Sequence, residues 1–201
     1  MTEIDYWNSI RDGNNIAFRD LYNRHADMLY KYGMKIAQDS ELVEDAIQTV
    51  FLNIYEKRLI ISRPKSISAY LYTSLKNEIL QEFRSRKLQT VSLEDEYYSK
   101  NGLVDYDFKL EIDPCKLLEL DEEEREKQIL LQEILDSLDG KHREIIYLRY
   151  YKGLSIEEVA SICKTNNQQI YCAISRIIKK LREQHVYNKA FIAFIISIQN
   201  W

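Results

Sequence analysis

Few residues in this chain break a helix. Five of the 201 are glycine and two are proline, too few for the turn-dense connections of a β-sandwich or barrel. Strict apolar–polar alternation is nowhere sustained, so no strands are expected. The three cysteines, Cys115, Cys163 and Cys172, are widely separated. They form no CxxC pair and have no histidine at zinc-ligand spacing, so they read as reduced thiols, with Cys163 in a core. No Gly-rich phosphate loop and no nucleophile–base pairing occurs. His25, His142 and His185 stand alone, His25 toward a helical core and the other two toward solvent. No enzyme, cofactor or metal site is therefore expected. The run Ala190–Ile198 (AFIAFIISI) spans nine residues, well short of the ~20 that a spanning helix needs. It is expected to form a final helix over the C-terminal core, with a partner-docking or membrane-surface segment as the alternative; stable membrane insertion is not expected. The first residues, MTEIDYWNSI, lack a basic stretch leading into an apolar one, so no signal peptide is expected and the chain should stay in the cytoplasm.

Leucine, isoleucine, lysine and glutamate are abundant, and the expected fold is all-α. The net charge of −4 is unevenly spread. Residues 1–88 hold 13 basic and 12 acidic side chains, residues 89–128 hold 5 and 13, and residues 129–201 hold 10 and 7. An acidic segment thus separates two near-neutral to basic blocks. In the first block a helix is expected over residues 14–37 (Phe18, Leu21, Tyr22, His25, Leu29, Tyr32, Ile36), capped by Asn14 or Asn15. A second follows Asp39-Ser40, with Val43, Ala46, Ile47, Val50, Phe51, Ile54 and Tyr55 inward and Glu41, Glu44, Asp45 and Gln48 on another face. A basic connection over 57–65 leads to a third helix over residues 66–86, with Ile67, Leu71, Leu75, Ile79 and Phe83 as its stripe. A short helix at residues 3–12 joins the bundle. The expected organisation is a bundle over 1–88, an extended acidic linker over 89–115, and a helical domain over 116–201 opening on a helix at Cys115–Leu138.

The block from Arg143 to Arg182 is the most distinctive. An apolar helix ends near Lys152-Gly153. Ser155 with Glu158 three residues on makes a capping box for a short helix that buries Ile156, Val159, Ala160 and Cys163. After the break Lys164-Thr165-Asn166, a longer helix carries Ile170, Ile174, Ile177, Ile178 and Leu181 on one face. It also carries Arg176, Lys179, Lys180 and Arg182, with no acid before Glu183. A short capped helix, a tight break and a longer basic helix read as a helix-turn-helix; the alternative on local pattern is a helical hairpin with a solvated basic end.

Two stretches in order carry a family resemblance. FRDLYNRHADMLYKYGMKIAQDSELVEDAIQTVFLNIYEKR, with Phe18, Leu21, Tyr22, Glu44, Asp45, Gln48, Val50 and Phe51, is similar to sigma region 2, and SAYLYTSLKNEILQEFRSRK resembles its strand-opening segment. Arg143-Glu144, Leu148-Arg149-Tyr150, Gly153-Leu154-Ser155, Glu158-Val159-Ala160 and the Lys-Lys-Leu-Arg close resemble sigma region 4. The chain therefore resembles an extracytoplasmic-function (ECF) sigma factor of bacterial RNA polymerase over roughly residues 14–88 and 129–183.

The resemblance implies two small helical domains joined by a flexible acidic linker. It implies core polymerase binding through Glu41, Glu44, Asp45 and Gln48, which would meet a basic clamp on the polymerase. Minus-ten DNA would be met by Tyr70, Lys76, Asn77, Arg84, Arg86 and Lys87: cations for phosphates, and an aromatic and an amide for unstacked bases. Minus-thirty-five DNA would fall to Asn166, Asn167, Gln168, Gln169 and Tyr171 near bases, with Arg176 and Lys179 near phosphates. Gln168-Gln169-Ile170-Tyr171-Cys172-Ala173 departs from the Gly-Thr-Val-Lys-Ser-Arg run of many relatives, so an unusual element or weak binding is expected here. Promoter DNA, core RNA polymerase and an anti-sigma protein are the implied partners, and the free chain should be a monomer. The alternatives are a helix-turn-helix regulator acting without core polymerase, and a sigma-like adapter with weak DNA binding.

Overall fold

The computed structural model describes residues 3–90, 106–110 and 121–183, all in helices or connections, and divides between Tyr106 and Asp107 into two units. The apolar run at 190–198, His185, Cys115 and most of the expected linker lie outside the described residues.

The first unit contains α1 (Glu3–Arg11), α2 (Asn15–Ala37), α3 (Ser40–Glu56) and α4 (Ile67–Thr90). Local chemistry sets the helix starts. Asn14 Oδ1 accepts the N–H groups of Ile16 and Ala17 at 2.9 and 3.2 Å, which makes Asn14, not Asn15, the cap of α2. Asp39 Oδ1 accepts Leu42 N–H at 3.1 Å, and Ser66 Oγ accepts Ala69 N–H at 3.1 Å; each satisfies a donor that a first turn leaves open. Leu21, Leu29, Tyr32 and Ile36 of α2 meet Val43, Ile47, Val50 and Ile54 of α3 and Leu71, Tyr72, Leu75 and Ile79 of α4, all buried. Trp7 and Ile10 bring α1 onto this core. Gly33 of α2 faces both α3 and α4: a Cβ there would stand 2.7 Å from Val43 Cγ1 and 3.4 Å from Ile79 Cδ1. Tyr55, expected on the inner face of α3, and Tyr22, part of the α2 apolar pattern, are both partly exposed. Tyr22 is 42% and Tyr55 40% exposed, because their rings lie along the α2–α3 seam, Tyr22 edge-on to Phe51 at 4.9 Å and Tyr55 edge-on to Phe18 at 5.3 Å.

The second unit contains α5 (Glu122–Asp136), α6 (Gly140–Ile146), α7 (Ile156–Ile162) and α8 (Asn167–Glu183). Asp121 caps α5 and Asp139 caps α6. His142 Nδ1 lies 2.6 Å from Asp139 Oδ2, so this histidine is half-buried and bonded to the cap rather than turned to solvent. The α6 helix widens into a π turn over Tyr147–Tyr151, where Lys152 N–H reaches back to Tyr147 O at 2.9 Å. Arg149 Nη1 then donates to Leu154 O at 2.8 Å across the turn at Gly153, whose φ is +67°. Buried Ile134, Leu135, Leu138, Ile146 and Ile177 form one core cluster. Within α7, Ile156, Val159, Ala160 and Ile162 are buried. Cys163, expected in the core, is half-buried instead, because α7 ends at Ile162 and Cys163 forms its C-cap.

Asp107–Leu110 belongs to this second unit and carries no helix or strand, yet Phe108 is fully buried with its ring 5.4 Å from that of Tyr147.

The capping box is present in full: Ser155 Oγ accepts Glu158 N–H at 3.2 Å, and Glu158 Oε2 accepts Ser155 N–H at 2.8 Å. Ser155→Ala is expected to cost about 1 kcal/mol and Ser155→Gly only a few tenths, read as shifts in the thermal melting of the full chain by circular dichroism.

Candidate nucleic-acid interface

On α3, Glu41, Glu44, Asp45 and Gln48 are all exposed. Their spacing puts them on one face, opposite the stripe that carries Val43, Ile47 and Val50 into the core. Glu44 and Gln48 also line a cleft of about 300 Å³ with Tyr22, Ala26, Asp27, Tyr30 and Ile47. The same face continues into Leu52, which is 56% exposed, and Tyr55. Leu52 was not among the expected site residues; its position four residues after Gln48 is the signal that could have found it. An acidic patch grading into an exposed apolar one suits a partner with basic and apolar groups side by side.

The α4 helix presents the second set. Asn77 is half-buried, and Arg84 is exposed. Arg86 is exposed but bonded to Glu82 Oε1 at 3.0 Å and Asp39 Oδ2 at 3.2 Å. The N–H of Leu42 and the Arg86 guanidinium hold the Asp39 carboxyl below the usual carboxylate range. Tyr70 is half-buried, edge-on to Trp7 at 6.0 Å. Lys76 departs most from a free phosphate contact. It is buried, and its Nζ lies 5.1 Å from the centroid of the Tyr106 ring, within cation–π reach. The Lys87 side chain lies outside the described groups. Before α4, the basic connection exposes two large apolar side chains, Leu59 at 70% and Ile60 at 85%.

The α7–α8 pair is a helix-turn-helix. Lys164, at φ +51°, turns the chain, and Thr165 N–H returns to Ala160 O at 2.9 Å. Ile170, Ala173, Ile174 and Ile177 anchor α8 in the core. The expected base-reading side chains separate into two groups. Asn166 Oδ1 caps α8 by accepting Gln169 N–H at 2.9 Å. The Thr165 hydroxyl donates to Gln169 Oε1, and Asn167 Nδ2 sits 3.4 Å from Glu157 Oε1. These three amides serve the turn. Gln168, Tyr171, Arg176 and Lys179 face outward, and Cys172 and Ser175 complete the same exposed stripe. Neither Cys172 nor Ser175 was expected there, though helical spacing from Gln168 places both. A stripe with one amide, one aromatic ring, a thiol and a hydroxyl leading to two cations can meet base edges at its N-terminal part and phosphates at its C-terminal part.

Two family models match in chain order, "Sigma-70 region 2" over residues 21–89 and "Sigma-70, region 4" over residues 128–181. Together they cover more than half of the chain. It belongs to the sigma-70 family. The α2–α4 bundle is its region 2, and α5–α8 form its region 4. The chain is 26% identical over 144 residues to "ECF RNA polymerase sigma factor SigL" of Mycobacterium tuberculosis, 71% of this chain and 74% of that one. Its fold resembles that of CnrH in complex with the cytosolic domain of CnrY, with a TM-score of 0.56 at 18% identity, covering 92% of this chain and 97% of the other. It also resembles the sigma factor RpoE in complex with the anti-sigma factor NepR from Bartonella quintana, at TM-score 0.55 and 22% identity over 86% and 98% of the two chains.

Proposed function

We propose that this sigma-70 family chain binds core RNA polymerase, recognises promoter DNA and directs transcription initiation as an ECF-type sigma factor. The observation that carries this reading is the order of its parts: region 2, with an exposed acidic face on α3, followed by region 4, with an outward polar and cationic stripe on a helix-turn-helix. In this reading the face of Glu41, Glu44, Asp45 and Gln48, extended by Leu52, docks on the polymerase. Asn77 and Arg84 of α4, with Tyr70, Arg86 and Lys87, hold the opened minus-ten strand. Lys76 joins them by leaving the Tyr106 ring. Gln168 and Tyr171 approach the minus-thirty-five bases while Arg176 and Lys179 hold phosphates. Asn166, Asn167 and Gln169 shape the turn that presents them. Promoter recognition at both elements makes the protein a DNA-recognition subunit and not a catalyst, acting where the polymerase acts. An anti-sigma protein of the kind seen with the structural relatives would silence the free monomer by covering these faces.

The sigma reading is tested by co-sedimentation with purified core polymerase, which should give one stable complex; its absence would leave a regulator that acts without polymerase. Asn77 is tested separately. An amide pair on a base edge is worth roughly 1–3 kcal/mol, so Asn77→Ala should lower permanganate reactivity of opened promoter thymines about tenfold while co-sedimentation is unchanged. Equal loss of both would make Asn77 a structural residue of α4.

A further inference from the structure

Four consecutive residues of the acidic segment sit on region 4 as a bound peptide would. Asp107 pairs with Arg143, whose side chain is only 9% exposed, and Asp107 Oδ2 also takes Lys109 Nζ at 2.7 Å. Phe108 is fully buried against Tyr147. Leu110 packs on the cluster of Ile134, Leu135, Leu138, Ile146 and Ile177, and its carbonyl accepts Gln132 Nε2 at 3.1 Å. Gln132 and Arg143 lie 22 and 36 residues away along the chain. The segment has no helix or strand of its own, so side-chain anchors and one captured carbonyl hold it. An acid, an aromatic anchor, a spacer and an aliphatic, each met by a complementary group, is the grammar of short-peptide recognition.

We propose that region 4 contains a peptide-binding groove, formed by Gln132, Arg143, Ile146 and Tyr147, and that Asp107–Leu110 is its exchangeable occupant. A partner presenting an acidic residue, an aromatic and, two positions on, an aliphatic would compete for it. Exchange changes the tether. With the segment seated and Tyr106 released from Lys76, residues 91–106 join α4 to region 4; with it displaced, residues 91–120 do. At ~3.5 Å per extended residue the reach rises from roughly 55 Å to roughly 105 Å. On the function proposed above, displacement therefore widens the span over which the two promoter-reading units can be placed.

The test is fluorescence polarisation with a labelled synthetic peptide, Tyr-Asp-Phe-Lys-Leu-Glu, titrated with the full-length chain. Wild type carries its own copy at millimolar effective concentration, which should outcompete the probe. The Phe108→Ala chain should bind the peptide at least tenfold more tightly than wild type, and a peptide with alanine in place of phenylalanine should bind neither. Should Phe108→Ala melt region 4, Phe108→Leu, which keeps an apolar side chain in the pocket, takes its place. Peptide-induced gain in its melting temperature then reads the same competition. A folded variant that neither binds the peptide nor gains stability from it would overturn the proposal and leave Phe108 an ordinary core residue. Neither readout involves polymerase or DNA, so failure here leaves the sigma reading untouched.

Discussion

Reversing two charges on α3, Glu44→Lys with Asp45→Lys, should weaken binding to core polymerase on the order of a hundredfold while the chain stays folded. Both carboxylates are exposed beside Glu41 and Gln48, so neither supports the core through packing. Substitutions at such positions usually change stability by less than about 0.5 kcal/mol. At an interface the same groups act differently. A close charge pair couples by roughly 1.5–7 kcal/mol, and reversal replaces attraction with repulsion; a total of about 3 kcal/mol is already more than a hundredfold in affinity. Equilibrium binding of labelled protein to core polymerase, paired with thermal melting, separates the two quantities. Unchanged affinity in a folded double variant would move the docking surface off this face. The loss should shrink as salt is raised, because exposed charges are screened over about 8–10 Å near physiological ionic strength.

Gly33→Ala should lower the melting temperature of the N-terminal unit by roughly 5–10 °C, equivalent to about 1–2 kcal/mol in a domain of this size. Two effects oppose each other. Alanine is the better helix former by about 1 kcal/mol, which would stabilise an open position. This position is closed: the added methyl would stand 2.7 Å from Val43 Cγ1 and 3.2 Å from Val43 Cγ2. Val43 is fully buried, and its β-branched side chain is stiff. Relief therefore requires α2 and α3 to move apart, and overpacking of this kind typically costs ~1–3 kcal/mol. Gly33→Val should go further and unfold the unit. Circular dichroism melting of both variants measures the effect; a rise in melting temperature for Gly33→Ala would show that the helices part freely here.

Much of the fold was legible because helix signals are local. Asn14, Asp39 and Ser155 are capping residues in front of apolar periodicity, and each caps the helix it precedes. The misplacements have tertiary causes. Periodicity assigns Tyr55 to an inner face and counts Tyr22 in the apolar pattern of α2, but cannot distinguish a core ring from one lying along a seam. It also carries α7 through Cys163, although the helix stops at Ile162. Phe108 falls within the segment expected to be an extended linker, because a single anchor residue has no period to detect, yet it is fully buried. Lys76 reads as a surface cation by charge alone, but it is buried and its Nζ lies over the Tyr106 ring. At the candidate site, the role of Asn166 has a local signal: an asparagine directly before a helix is a favoured cap, and its Oδ1 accepts Gln169 N–H. The bonds that engage Asn167 and Gln169 reach Glu157 and Thr165, and no composition rule predicts those partners. Gly33 was also readable in principle, since a glycine inside a long helix costs stability and invites a search for close approach.

The most direct measurement is run-off transcription with purified core RNA polymerase on a pool of genomic fragments, with and without this protein. Defined start sites that appear only with the protein, preceded by two shared sequence elements at constant spacing, are the predicted result. No protein-dependent start on any fragment, together with no co-sedimentation with core polymerase, would contradict assignment of the chain as a sigma factor.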